Sequence, residues 1–201
     1  MSIRLKLMGA RISFAQGLNN TSAVAGGKPK YSVDFLLVPG TKILEKTPAG
    51  WKPVKDMDTI IQRVAVDTWK TEAAAKRMLA SLEASKLCYR DGDKRTKGDG
   101  TPYEGYPGVW YVTAKNETRP KKWAKDGTLL DAADTSIYSG CKVVGLVDIY
   151  GNARAEAKGI FASLLGAQFM ADDDAFAGGA PVAQDDIDDL SDVGETESMI
   201  D

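Results

Sequence analysis

A mainly β domain with one or two helices, continued by a disordered acidic tail, is the architecture this chain of 201 residues predicts. Three observations carry it: five apolar segments bounded by turn residues, one long stretch with helical spacing, and an uneven division of charge. Residues 172–201 hold eleven of the 28 acidic residues and no Lys or Arg, which leaves 26 basic against 17 acidic residues in 1–171. The overall charge of −2 therefore conceals a body at +9 and a tail at −11.

Ile3, Leu5 and Leu7 alternate with Ser2, Arg4 and Lys6, Gly9 interrupts, and Ile12 and Phe14 resume. This predicts a long first strand bent at the glycine. After a flexible stretch with Gly26, Gly27 and Pro29, residues Tyr31, Val33, Phe35 and Leu37 share one face of a second strand, closed by Pro39-Gly40. Val54 to Asp91 contains neither glycine nor proline. Ile61, Val64, Thr68, Ala75, Met78, Leu79 and Leu82 recur there at helical spacing, which predicts a helix over 58–86, capped at Asp58 and broken near Lys70. A charged loop marked by Gly92, Gly98, Gly100 and Pro102 leads to a strand at 109–114 and a basic loop through Pro120. Another strand is expected at 141–150, and the apolar run 159–170 fits a last strand or a short helix.

Five strands and a helical stretch fit an OB-fold-like five-stranded barrel over residues 1–171, with 172–201 too polar and charged to fold alone. In the usual form of that barrel the helix lies between the third and fourth strands, whereas here it follows the second. Either a short strand lies within 39–56 or the topology is elaborated. No apolar run approaches the roughly 18 residues that cross a bilayer, and Met1–Leu7 alternates instead of forming a leader, so a cytoplasmic protein is expected. Cys88 and Cys141 lie far apart with no histidine in the chain, which points to reduced, structural thiols and no Cys/His zinc site.

Between Lys86 and Lys125, ten Lys or Arg residues against five acids interleave with Tyr89, Tyr103, Tyr106, Trp110, Tyr111 and Trp123. Cations track phosphates while aromatic faces stack on bases of any sequence, so this mixture suits single-stranded nucleic acid. Its candidates are Arg90, Lys94, Arg95, Lys115, Arg119, Lys121 and Lys122, with Tyr103, Tyr106, Trp110 and Trp123 as stacking platforms. Trp110 and Tyr111 are neighbours on a strand, so only one of them can face outward. Lys28 and Lys30, at a hairpin tip, are further phosphate contacts.

The segments Tyr31-Ser32-Val33-Asp34-Phe35, Arg90-Asp91-Gly92-Asp93, Tyr103-Glu104-Gly105, Ala114-Lys115-Asn116 with Arg119-Pro120, Tyr138-Ser139-Gly140-Cys141 and Lys158-Gly159-Ile160 resemble, in the same order, the tailed-phage single-stranded-DNA-binding proteins. The resemblance spans most of 1–171. It implies an OB-fold domain that binds single-stranded DNA in phage replication or recombination, and it adds Tyr31 and Tyr138 to Arg90, Tyr103, Lys115 and Arg119 as site residues. The long Ala-rich helix and the Trp123 loop depart from the familiar pattern.

Other chemistries fit less well. Asp91-Gly92-Asp93 with Asp99 suggests a calcium loop, but Arg95, Lys97 and Pro102 stand where ligands belong, and pairing of Asp91 or Asp93 with Arg90 or Lys94 accounts for the acids. Gly26-Gly27-Lys28-Pro29 lacks the spacing of a P-loop, and Ser139 and Cys141 have no evident base. No catalytic residue, metal or cofactor is expected. The rivals are a metal-dependent nuclease, which needs convergent acids on rigid elements, and an adaptor whose basic face meets an acidic protein; a homo-oligomer is left open.

In the tail, Asp185, Asp186, Asp188, Asp189, Leu190, Met199, Ile200 and Asp201, with Phe176 and Ile187, combine acids and apolar residues of the kind that dock into a partner. The expectation is a tail that covers the basic groove, is displaced by DNA, and then recruits replication or recombination proteins.

Overall fold

The computed structural model describes residues 1–23 and 27–176. Its frame is five long strands: β1 (Ser2–Ser13), β2 (Tyr31–Leu37), β6 (Trp110–Asn116), β8 (Lys142–Asn152) and β9 (Gly159–Ala171). They pair in the order β2-β6-β9-β8-β1, and β1 also pairs with β2, so the sheet closes into a barrel. All these pairings are antiparallel except β6 with β9, where Ala114 lies opposite Ala162. Four of these are the strands expected from the sequence, and the apolar run at 159–170, left open between strand and helix, is the fifth.

Gly9 explains how one strand serves two sides of the barrel. Ile3, Leu5 and Leu7 point inward, then Ala10 and Ile12 do. The inward set moves from odd to even positions because the register against β8 shifts between Met8 and Ala10, with Gly9 at φ +81°. The first half of β1 thus pairs with an inserted hairpin and the second half with β2.

The hairpin is β3 (Lys42–Thr47) and β4 (Gly50–Val54), so the segment 39–56, where an unrecognised strand was one alternative, holds two. Pro53 is tolerated because β4 is an edge strand bonded to β3 alone among the described strands. Two further short strands, β5 (Tyr89–Asp91) beside β6 and β7 (Lys121–Trp123) beside β9, bring the sheet to nine. The five-strand expectation counts the barrel and misses these additions, which are too short and charged to show alternation.

The helical stretch is two helices, α1 (Met57–Trp69) and α2 (Glu72–Ser81), divided at Lys70, whose φ of 72° ends the first. Asp56 rather than Asp58 caps α1, accepting a bond from the Thr59 amide at 2.8 Å, and Thr71 caps α2. α1 buries Met57, Ile60, Ile61, Val64 and Ala65 against the barrel, while α2 buries only Ala75. A two-point Arg63–Glu45 pair at 2.6 and 2.9 Å ties α1 to the hairpin, and the guanidinium holds the Glu45 carboxyl below its ordinary value. Among the described residues no helix is long and apolar enough to cross a membrane.

Cys88 and Cys141 are buried and free. Burial pushes the Cys88 thiol from 9.0 up to about 12 and the Cys141 thiol up to about 11. Both folded values lie above the unfolded ones, so this stability is fully present below about pH 9 and is lost as pH rises through 11–12. Urea midpoints should hold from pH 7 to 8.5 and then fall; midpoints flat to pH 11 would show that the thiols are not sealed in the core.

The folded part runs beyond Ala171, where the tail was expected to start. Tyr138 Oη donates to Asp172 Oδ1 at 2.9 Å, Asp173 meets Lys142 at 3.2 Å and Arg11 at 3.7 Å, and the Phe176 amide donates to the Ser139 carbonyl at 2.9 Å. The Phe176 ring is buried with Leu36, Tyr106 and Tyr111, so it is core and not a docking residue. Gly140 makes the crossing possible, since a Cβ there would lie 2.3 Å from the Asp174 carbonyl oxygen. Asp185, Asp186, Asp188, Asp189, Leu190, Met199, Ile200 and Asp201 lie outside the described residues.

Candidate nucleic-acid interface

On the outer face of β2 and β6, alternation brings Ser32, Asp34 and Leu36 beside Lys115, Thr113 and Tyr111, and β5 adds Arg90 opposite Tyr111. Three concavities meet along this face. The largest, about 470 Å³, runs between Phe14, Ser32, Arg90, Arg95, Tyr103 and Lys115. A second, about 330 Å³, lies between Tyr89, Arg90, Lys94, Arg95 and Trp110, and a third, about 180 Å³, between Lys30, Arg90, Lys115, Tyr150 and Phe161. Arg90 borders all three, which makes one continuous basic groove with rings along its walls.

The floor of the groove is held by a buried carboxylate. Asp34, only 3% exposed, accepts from Tyr106 Oη at 2.7 Å and from Thr113 Oγ1 at 2.5 Å, and Arg95 lies 3.8 Å away. Arg90 in turn donates to Thr113 Oγ1 and lies 5.0 Å from the centre of the Tyr111 ring. Arg95 sits over Tyr103 at 5.2 Å and Phe14 at 5.5 Å, and those two rings meet edge to face at 5.3 Å. The Nε atoms of Arg90 and Arg95 are buried without an acceptor among the described residues. Lys115 is shifted below its ordinary value by burial and by neighbouring Arg90, the electrostatic mark of cations crowded to meet an anion.

The outlying candidates flank this centre. Lys30 pairs with Glu117 at 3.5 Å, Lys28 with the same carboxylate at 3.7 Å, and Arg119 lies over Tyr31 at 5.5 Å. Lys94 is exposed and pairs with Asp91 at 3.7 Å; Asp93 accepts from the Gly108 amide at 2.6 Å, so these acids order the loop. Trp110 is 47% exposed and lies against Tyr89 at 4.7 Å, while Tyr111, on the outer face, is covered by Tyr106 and Phe176 and only 2% exposed.

Several expected contacts take other places. Tyr106 is fully buried, bonded to Asp34, and raised well above its ordinary value by burial and that carboxylate, so it supports the groove and cannot stack on a base. Lys122 is buried because β7 alternates: its ammonium donates to Asn19 Oδ1 at 2.5 Å and to the carbonyls of Ala132 and Asp134, pinning two loops. Tyr138 is occupied by Asp172 and Asp173. Trp123 covers Gly166 on another side of the barrel, and Lys121 is exposed beside it. Phe14 and Thr113 are groove residues that sequence reasoning misses, and Tyr89 is one it notes among the interleaved aromatics but leaves out of the candidates; the only signal for Phe14 is a large ring ending an alternating run, and it takes φ 57° before a short 3₁₀ turn.

A five-stranded barrel whose outer sheet face carries arginines between aromatic rings defines an OB-fold-like oligonucleotide-binding domain. The sequence profile described as Enterobacter phage Enc34, ssDNA-binding protein matches residues 3–199, and the chain belongs to that family. It is 32% identical over 200 residues to protein p50 of Acyrthosiphon pisum secondary endosymbiont phage 1, covering 98% of this chain and 99% of that protein. Its fold is similar to the single-stranded DNA-binding protein from bacteriophage Enc34 in complex with ssDNA, at 23% identity and TM-score 0.63, covering 87% of this chain and 89% of that one. Another structure of the Enc34 protein matches at 22% identity and TM-score 0.58, covering 94% and 89%.

Proposed function

We propose that this protein binds single-stranded DNA along the groove centred on Arg90, without sequence preference, during phage replication or recombination in the host cytoplasm. The observation that carries the reading is the convergence of three concavities on one arginine, with cations spaced between exposed rings. Lys30, Arg90, Lys94, Arg95, Lys115 and Arg119 meet phosphates; Tyr103, Trp110 and Tyr31 offer faces to bases. The role is binding and not catalysis: the carboxylate at the groove centre, Asp34, is engaged by two hydroxyls and an arginine.

The segment after Phe176, with eight acids and no Lys or Arg, competes with DNA for the groove and recruits replication or recombination proteins. Its root is well placed, since Phe176 packs beside Tyr106 and Tyr111 under the groove.

Fluorescence anisotropy with labelled oligo-dT tests this. Six phosphate contacts predict a log–log salt slope of about −4 and clear preference over duplex of equal length. Residues 1–176 should bind more tightly than the full chain, most of all at low salt. Equal affinity for duplex sinks the single-strand reading, and equal affinity of the two chains at low salt sinks competition by the tail.

A further inference from the structure

Resting on that reading, we propose a second single-strand contact on another side of the barrel: a strip running from Trp123 through Lys6 to Trp51 that takes the strand as it leaves the groove. The strip lies on the outer face of β7, β9, β8, β1, β3 and β4, five strand spacings of about 4.8 Å and so about 24 Å along the sheet. Register places its members on that face: Lys6 stands opposite Leu146 on β8 and Leu44 on β3, and Lys46 opposite Trp51.

Two features distinguish it from ordinary solvated sheet. Trp51 is half-buried and carries two ammonium groups over its ring, Lys6 at 4.5 Å and Lys46 at 5.4 Å. At the other end, Trp123 borders a shallow, mostly apolar cavity of about 290 Å³ with Lys6, Val144, Leu146 and Gln168. Lys6, Lys46 and Lys121 make no ion pair among the described residues, unlike Arg4, two residues from Lys6 on the same face, which pairs with Asp148.

Unpaired cations alternating with indole rings complement a polyanion with stackable bases, the same chemistry as the groove. The two surfaces are joined in sequence: Arg119, over Tyr31 at the end of the groove, is followed two residues later by Lys121, which opens β7. The strip also accounts for Lys121 and Trp123, which the groove leaves unused.

Anisotropy with two lengths of oligo-dT, in excess so that one protein binds each strand, separates the surfaces. About ten nucleotides fill one barrel's groove, and about twenty reach the strip. Trp51→Ala should weaken twenty-nucleotide binding roughly tenfold, the effect of one lost stacked base, and Lys6→Gln should weaken it about threefold through one lost phosphate contact, both leaving ten-nucleotide binding within about twofold. Lys6→Gln should also flatten the salt slope on the longer strand by about 0.7. Equal effects on both lengths, or none, overturn the strip while wild-type binding of the short strand still supports the groove. A change of oligomeric state in either variant without DNA, by light scattering, overturns it in favour of contact between copies. Wild-type failure on the short strand removes the groove reading and the strip with it.

Discussion

Asp34→Ala will lower the melting temperature by about 6–12 °C, from a loss of about 3 kcal/mol in a domain of this size. The loss lies at the lower end of the range for breaking a buried pair because the Arg95 side chain is 35% exposed and water screens it. Most of the loss comes from the Tyr106 hydroxyl, which stays buried without its acceptor. DNA binding feels two opposed effects: one fewer negative charge under the groove favours phosphate at long range, whereas Arg95, and Arg90 through Thr113, lose their fixed positions. Salt separates them, since long-range attraction is screened and direct positioning is not. Affinity for short oligo-dT should fall at moderate salt and recover partly at low salt. Unchanged melting with tighter binding at every salt would mean that Asp34 merely repels DNA and positions nothing.

Phe176→Ala will destabilise the domain by about 3 kcal/mol, the lower range for deleting a buried phenyl ring, again about 6–12 °C. The ring is 7% exposed, packed on Leu36, Tyr106 and Tyr111, with Arg11 over it at 4.4 Å. Two truncations extend the test. A chain ending at Phe176 should melt like the full protein, and one ending at Ala171 should lose at least as much as the point variant. If both truncations melt alike, the last five described residues merely lie on the surface.

Much of the frame was readable from pattern. Pattern located four of the five barrel strands and left the fifth, 159–170, open between strand and helix; Gly9 marked the bulge, and the helix break fell at Lys70. Those features rest on local rules: period two, period 3.6, and the backbone freedom of glycine. The hairpin β3–β4 and strands β5 and β7 escaped because their stability comes from pairing with a distant neighbour, as Tyr89 does with Val112 and Trp123 with Gln168. The site was legible as a composition, and the choice among its members was not. Nothing local distinguishes Tyr103, on the groove wall, from Tyr106, sealed over Asp34; the difference is the turn between them. Lys121 and Lys122 could have been separated, because neighbours on a strand face opposite ways.

Composition and order alone determined that a basic body precedes an acidic tail, that the body's strands and helical stretch fit a small barrel, and that one segment mixes cations with rings. These are properties of residue type and spacing, which survive any arrangement of the chain. Only the tertiary structure decided which cations share a surface, because Phe14 is brought to Arg90 and Lys115, 76 and 101 residues away in sequence, by the pairings of β1 with β2, β2 with β6 and β5 with β6. Only it placed the buried carboxylate beneath them, since charge patterning cannot show whether Asp34 meets water or Tyr106. It also showed that the five residues after Ala171, acidic in appearance, are held by Tyr138, Arg11 and Lys142 from strands and turns far away in the chain.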